Sequence, residues 1–201
     1  GGVVTTMCLL RPDIFDGVVL IAPMIYISDD MMPDPAIVTV FERILAPLVP
    51  AAKIAPNNEN LGKFAWSDPE QVRQVGQLPL TLGKDRLRAR TAHSLVVGCR
   101  WMSGRLREFR TPFLVLHAKG DRITDSAVSK RLFEEAATRS EDKRLLLLDS
   151  DFHADFMSGG PSQKKLMDSA LTEVITWMTE RDAAREVGAG EVVAEAVHDS
   201  K

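Results

Sequence analysis

Pro112-Phe113-Leu114-Val115-Leu116-His117-Ala118-Lys119-Gly120-Asp121 is an apolar run entered through a proline and left through a Gly-Asp turn. It is short and bounded by turn residues, so it reads as a strand buried on both faces. Two further runs flank it: Val18-Val19-Leu20-Ile21-Ala22, closed by Pro23, and Arg144-Leu145-Leu146-Leu147-Leu148, followed by Asp149-Ser150-Asp151. Leucine alone suits a helix equally well, but the brevity of the third run and the turn residues after it favour a strand. Between the last two runs, residues 125–138 show helical spacing, with Asp125 and Ser126 as caps and Val128, Leu132, Phe133, Ala136 and Ala137 as the apolar face. Residues 163–181 repeat the pattern with Leu166, Met167, Ala170, Leu171, Val174, Ile175 and Met178. Strand, helix, strand, helix with fully apolar strands predicts parallel pairing and an α/β layered fold.

Outward from this core the rhythm changes. Residues 2–10 are small and apolar and stop at Arg11-Pro12-Asp13, a helix without a capping side chain. Residues 28–110 are mostly helical in pattern. One stripe carries Val38, Phe41, Ile44, Leu45 and Leu48; another carries Ala92, Leu95, Val96, Cys99, Met102 and Leu106. A polar, proline-broken connection over 50–79 separates them. A helical insertion of this size between two strands resembles a lid. The expected division is therefore a core from 1–27 and 111–181, a helical cap from 28–110, and a tail from 182–201. That tail carries five acids and two bases, which accounts for the whole net charge of −3, and its composition predicts disorder.

With 45% apolar and 26% charged side chains, the chain can bury a core and has no bulk charge to suit it to nucleic acid. Lys84, Arg86, Arg88, Arg90, Arg100, Arg105, Arg107 and Arg110 form a basic stretch that reads as the solvated face of an amphipathic helix; as an anionic-surface binder it would show salt-dependent retention. Cys8 and Cys99 form no C-x-x-C pair, and Cys8 reads as packing. A reducing, cytoplasmic setting is the default reading. The longest apolar run, residues 18–27, contains Pro23 and falls short of the roughly 20 residues of a spanning helix. Ser28-Asp29-Asp30 with Asp34 lacks the spacing and glycine of a calcium loop, and no zinc, Walker or dinucleotide motif is present, so neither metal nor cofactor is expected.

Asp121 and His153 carry the sharpest chemistry. Each follows a predicted parallel strand at its carboxyl end, where α/β sheets build their sites. Asp121 alone reads more readily as a turn residue, and His153 alone as a surface or satisfied histidine. Together they suit the acid and base of a hydrolytic triad, in which histidine moves protons and the carboxylate fixes its tautomer. No serine sits in a G-x-S-x-G elbow; Phe156-Met157-Ser158-Gly159-Gly160 has the wrong first residue and follows His153.

These stretches resemble a family. Val18-Val-Leu-Ile-Ala-Pro-Met24, Ile27-Ser-Asp-Asp30, Pro112-Phe-Leu-Val-Leu-His117, Gly120-Asp121-Arg-Ile-Thr-Asp125 and Ala127-Val-Ser-Lys130 are similar to the monoacylglycerol lipase-like, or serine aminopeptidase-type, α/β-hydrolases. The similarity includes the plant caffeoylshikimate esterase-like branch and covers about residues 1–180. His117-Ala118 stands where the family usually has His-Gly. The resemblance implies that Asp121 is the triad acid and His153 its base, and that 28–110 caps an acyl-binding pocket. It also implies a small ester substrate, with peripheral membrane contact through the cap. Gly1-Gly2 resembles the end of the family's G-x-S-M-G-G elbow, which places the nucleophilic serine before Gly1. On this reading the chain is the C-terminal part of the hydrolase sheet and inactive alone, and Val18–Ile21 should be an open apolar edge. A catalytically inactive ligand-binding relative is the alternative, and the oligomeric state is not fixed by the sequence.

Overall fold

The computed structural model describes residues 1–54, 61–78 and 86–198. Strands β1 (Val18–Ile21), β2 (Phe113–Ala118) and β3 (Lys143–Leu148) pair in parallel in the order β1-β2-β3. Each lies within one residue of its predicted position. Every residue of the central β2 is buried, as expected for a strand covered on both faces. The helices are α1 (Gly2–Leu10), α2 (Pro35–Val40), α3 (Ala46–Leu48), α4 (Leu61–Ala65), α5 (Pro69–Gly76), α6 (Ala89–Ser103), α7 (Ser126–Glu135), α8 (Asp155–Ser158) and α9 (Lys164–His198).

Strand alternation sorts the core into two layers. Phe113 and Val115 join Cys8, Cys99, Met102, Leu106 and Leu132, contributed by α1, α6, α7 and the turn after α6. Leu114, Leu116 and Ala118 point the other way, to Phe156, Ala170 and Trp177 of α8 and α9. Helix α7 starts as the sequence predicts: the Asp125 carboxylate accepts from the Ala127 amide at 2.8 Å, and Val128 and Leu132 are buried. Cys8 is fully buried and its thiol is pushed up by that burial, in keeping with a packing role.

The stretch between β1 and β2 is helical, with one departure from the pattern. Residues 37–48 form not a single α-helix but α2, a π-helical turn at Phe41–Leu45, and α3. Pro47 explains it: its ring crowds the carbonyl four residues back, inside the widened turn. On this segment Phe41 and Ala46 are buried, while Ile37, Val40, Ile44 and Leu48 are exposed. Parts of the proline-broken connection, and Lys84 of the basic stretch, lie outside the described residues.

The backbone of helix α9 continues past residue 182 to His198. Alanine and glutamate between 183 and 196 favour helix strongly enough to carry it through Gly188 and Gly190, each about 1 kcal/mol worse than alanine. Residues 199–201 lie outside the described residues. β1 is an edge of the sheet, and Ile21 is 38% exposed. Among the described residues no helix is long and apolar enough to cross a membrane.

Candidate active site

The carboxyl ends of β2 and β3 are held together by their loops. The Lys119 amide donates to the Leu148 carbonyl at 2.9 Å and the Gly120 amide to the Ser150 carbonyl at 3.0 Å. Gly120 is required by this approach, since a Cβ there would lie 2.9 Å from the Asp151 Cα. The turn thus sets Asp121, 8% exposed as a residue, directly beside the loop that carries His153.

Asp121 Oδ1 accepts from the Ile123 amide at 2.8 Å and the Thr124 amide at 3.1 Å. Its Oδ2 accepts from the Thr124 hydroxyl at 2.9 Å and faces His117 Nε2 at 3.1 Å and His153 Nδ1 at 2.7 Å. Burial alone would raise this carboxyl. The hydrogen bonds from His117 and His153, the charge on His153 and the Ile123 amide outweigh it and hold the group well below the usual carboxylate range. A carboxylate at Oδ2 only accepts, so His153 Nδ1 carries a proton, and whenever the ring is neutral Nε2 is an acceptor. The His153 side chain is 22% exposed, against none for Asp121.

The insertion reaches this site directly. The Phe64 carbonyl accepts from the His153 amide at 3.0 Å, and the Ala65 carbonyl from the Ala154 amide at 2.7 Å. One turn on, the Ser67 amide donates to Asp155 Oδ1 at 2.9 Å, and Trp66 Nε1 to the Ser158 hydroxyl at 3.0 Å. An apolar cavity of about 190 Å³ opens between the helices, lined by Ile27, Met31, Met32, Phe41, Leu95 and Val96 among others. Ile27 is bridged to Thr124, which places one wall of the cavity a single residue from the Asp121 network.

The family model described as serine aminopeptidase, S33, matches residues 1–157. The chain belongs to that family. Caffeoylshikimate esterase of Arabidopsis thaliana is 26% identical over 90% of this chain and 53% of its own length. Monoacylglycerol lipase of Mycolicibacterium smegmatis is 27% identical over 88% of this chain and 59% of its own. The chain therefore spans somewhat over half the length of these relatives. The monoacylglycerol lipase of Paleococcus ferrophilus superposes with a TM-score of 0.70 at 21% identity, over 88% of this chain and 65% of the other. A soluble variant of Saccharomyces cerevisiae monoglyceride lipase, solved with a substrate analogue, gives 0.70 at 16%, over 90% of this chain and 62% of the other. The fold is that of the α/β-hydrolases.

Within this S33 chain, both residues singled out from the sequence meet in one hydrogen bond. Sequence reasoning missed Thr124 and His117, which bond to Asp121, and Ser129, which bonds to His117. The signal available was a histidine at the end of a strand otherwise wholly apolar. Among the described residues no three histidine, cysteine or acidic side chains are grouped to hold a metal ion.

Proposed function

We propose that this chain supplies the acid, Asp121, and the base, His153, of a Ser-Asp-His triad that cleaves carboxylic esters. The observation that carries the reading is the 2.7 Å bond from His153 Nδ1 to a buried, fully satisfied carboxylate, which leaves Nε2 to accept a proton. In this scheme a seryl hydroxyl, carried by sequence before Gly1, gives its proton to Nε2 as its oxygen bonds to the ester carbonyl carbon. Nε2 then returns the proton to the departing alcohol, and water repeats the sequence to release the acid. Asp121 stays ionised throughout and stabilises the imidazolium.

Monoacylglycerols, or related lipid and phenolic esters, are the substrates suggested by the names of the relatives. The cavity beside Thr124 supports residues 28–110 as a cap over an acyl pocket, and its apolar lining suits a hydrocarbon chain. The exposed Ile37, Val40, Ile44 and Leu48 give the same segment an apolar outer face suited to peripheral contact with a lipid surface.

The test assays the full gene product, numbered as here, on a short-chain p-nitrophenyl ester and on a monoacylglycerol. Asp121→Asn and His153→Ala should each lower kcat by roughly 10⁴-fold, the scale seen when a triad member is disabled. Unchanged turnover in either variant would sink the assignment.

A further inference from the structure

We propose that His117 is a positioning residue, one that moves no proton itself but holds the Asp121 carboxylate in place for His153. The inference rests on the reading of Asp121 and His153 as acid and base. His117 is fully buried near the end of β2, on the face of that strand that packs against α7. An imidazole at such a position gives up water at both nitrogens, a cost met only if both find partners.

Both do, and the partners dictate the tautomer. Nε2 faces Asp121 Oδ2 at 3.1 Å and the Thr124 carbonyl at 3.2 Å, two groups that only accept, so Nε2 carries the proton. Nδ1 lies 2.7 Å from the Ser129 hydroxyl of α7, which then donates to it. Donation runs from Ser129 to His117 to Asp121, while His153 reaches the same Oδ2 from the other side at 2.7 Å. One oxygen is thus held between two imidazoles of different burial. His117 is buried and bonded at both nitrogens between β2 and α7; His153 sits on a loop and is partly exposed. The buried ring holds Asp121 Oδ2 in place opposite the partly exposed one. It also supplies a partner to the Thr124 carbonyl, which an apolar side chain of equal size would not. Packing alone therefore does not account for a histidine here.

Glutamine and methionine at position 117 separate donation from packing, because they are close in size and only glutamine presents an N–H at comparable reach. In the full gene product, His117→Gln should keep kcat within about threefold. His117→Met should lower it about tenfold to a hundredfold at unchanged KM, the scale expected when a reacting group is slightly misplaced. The low-field proton resonance of His153 Nδ1 should persist in His117→Gln and broaden or move upfield in His117→Met. A folded His117→Met with the turnover and resonance of His117→Gln would overturn the proposal. Should neither variant fold, Ser129→Ala decides, since it keeps the ring and removes only the donor to Nδ1. A fall in kcat of about threefold or more at constant KM supports the positioning role; unchanged kcat overturns it. Full activity in His117→Met beside inactive Asp121→Asn and His153→Ala defeats this inference alone, whereas active Asp121→Asn or His153→Ala defeats the reading beneath it.

Discussion

Five donors converge on the Asp121 carboxylate: two backbone amides, the Thr124 hydroxyl and two imidazoles. Such a site stabilises the ionised form, and the sign of the linkage follows. A carboxyl depressed in the fold adds stability above its unfolded value, near 3.8, and loses it as pH falls toward the lower folded value. Asp121→Asn should therefore lower stability at neutral pH by about 1.5–3 kcal/mol, the range for hydrogen bonds to charged groups. The gap between variant and wild type should narrow as pH drops from 4 toward 2 in urea titrations. Thr124→Val, which deletes the hydroxyl but keeps the shape, should cost less, about 1 kcal/mol. Asp121 and His153 were legible because strand ends mark where sites are built. Thr124 and Ser129 were not, since a hydroxyl residue gains meaning only from a partner brought near by folding.

Among elements, the strands were legible to within a residue because each is a short apolar run bounded by turn residues, although only β2 is buried along its whole length. The 37–48 stripe was less so: Pro47 converts part of the rod to a π-turn, so regular helical spacing no longer tells which of its apolar residues face inward. Least legible was the seam between the insertion and the His153 loop, where two backbone bonds and two bonds from residues distant in sequence leave no trace in hydrophobic patterning. Asp155 anchors that seam. Its carboxylate, 1% exposed, accepts from the Ser67 amide. Asp155→Ala should cost about 1–3 kcal/mol by stranding that amide, and should lower kcat more than a surface substitution of equal stability cost. Thermal melts and ester turnover measured on the same preparations check this. At α7, Leu132→Ala should cost about 2–5 kcal/mol, because Leu132 is fully buried against β2.

For the molecule as a whole, β1 is an open edge, and the helices on the two sheet faces carry exposed apolar side chains. Val3 and Leu10 lie on α1, and Leu171, Ile175 and Met178 on α9. Unpaired edges with such surroundings promote association. The 201 residues alone should self-associate and bind an apolar dye in sedimentation and fluorescence measurements. A monomer with a cooperative melt would contradict this. The seam between insertion and core has a different consequence. The amides of His153 and Ala154 end on carbonyls of Phe64 and Ala65, so neither can exchange with solvent deuterium while the insertion stays seated. Those two protons form a clock built into the backbone: their exchange rates time the opening of the insertion, and every opening they record also releases the loop that holds His153.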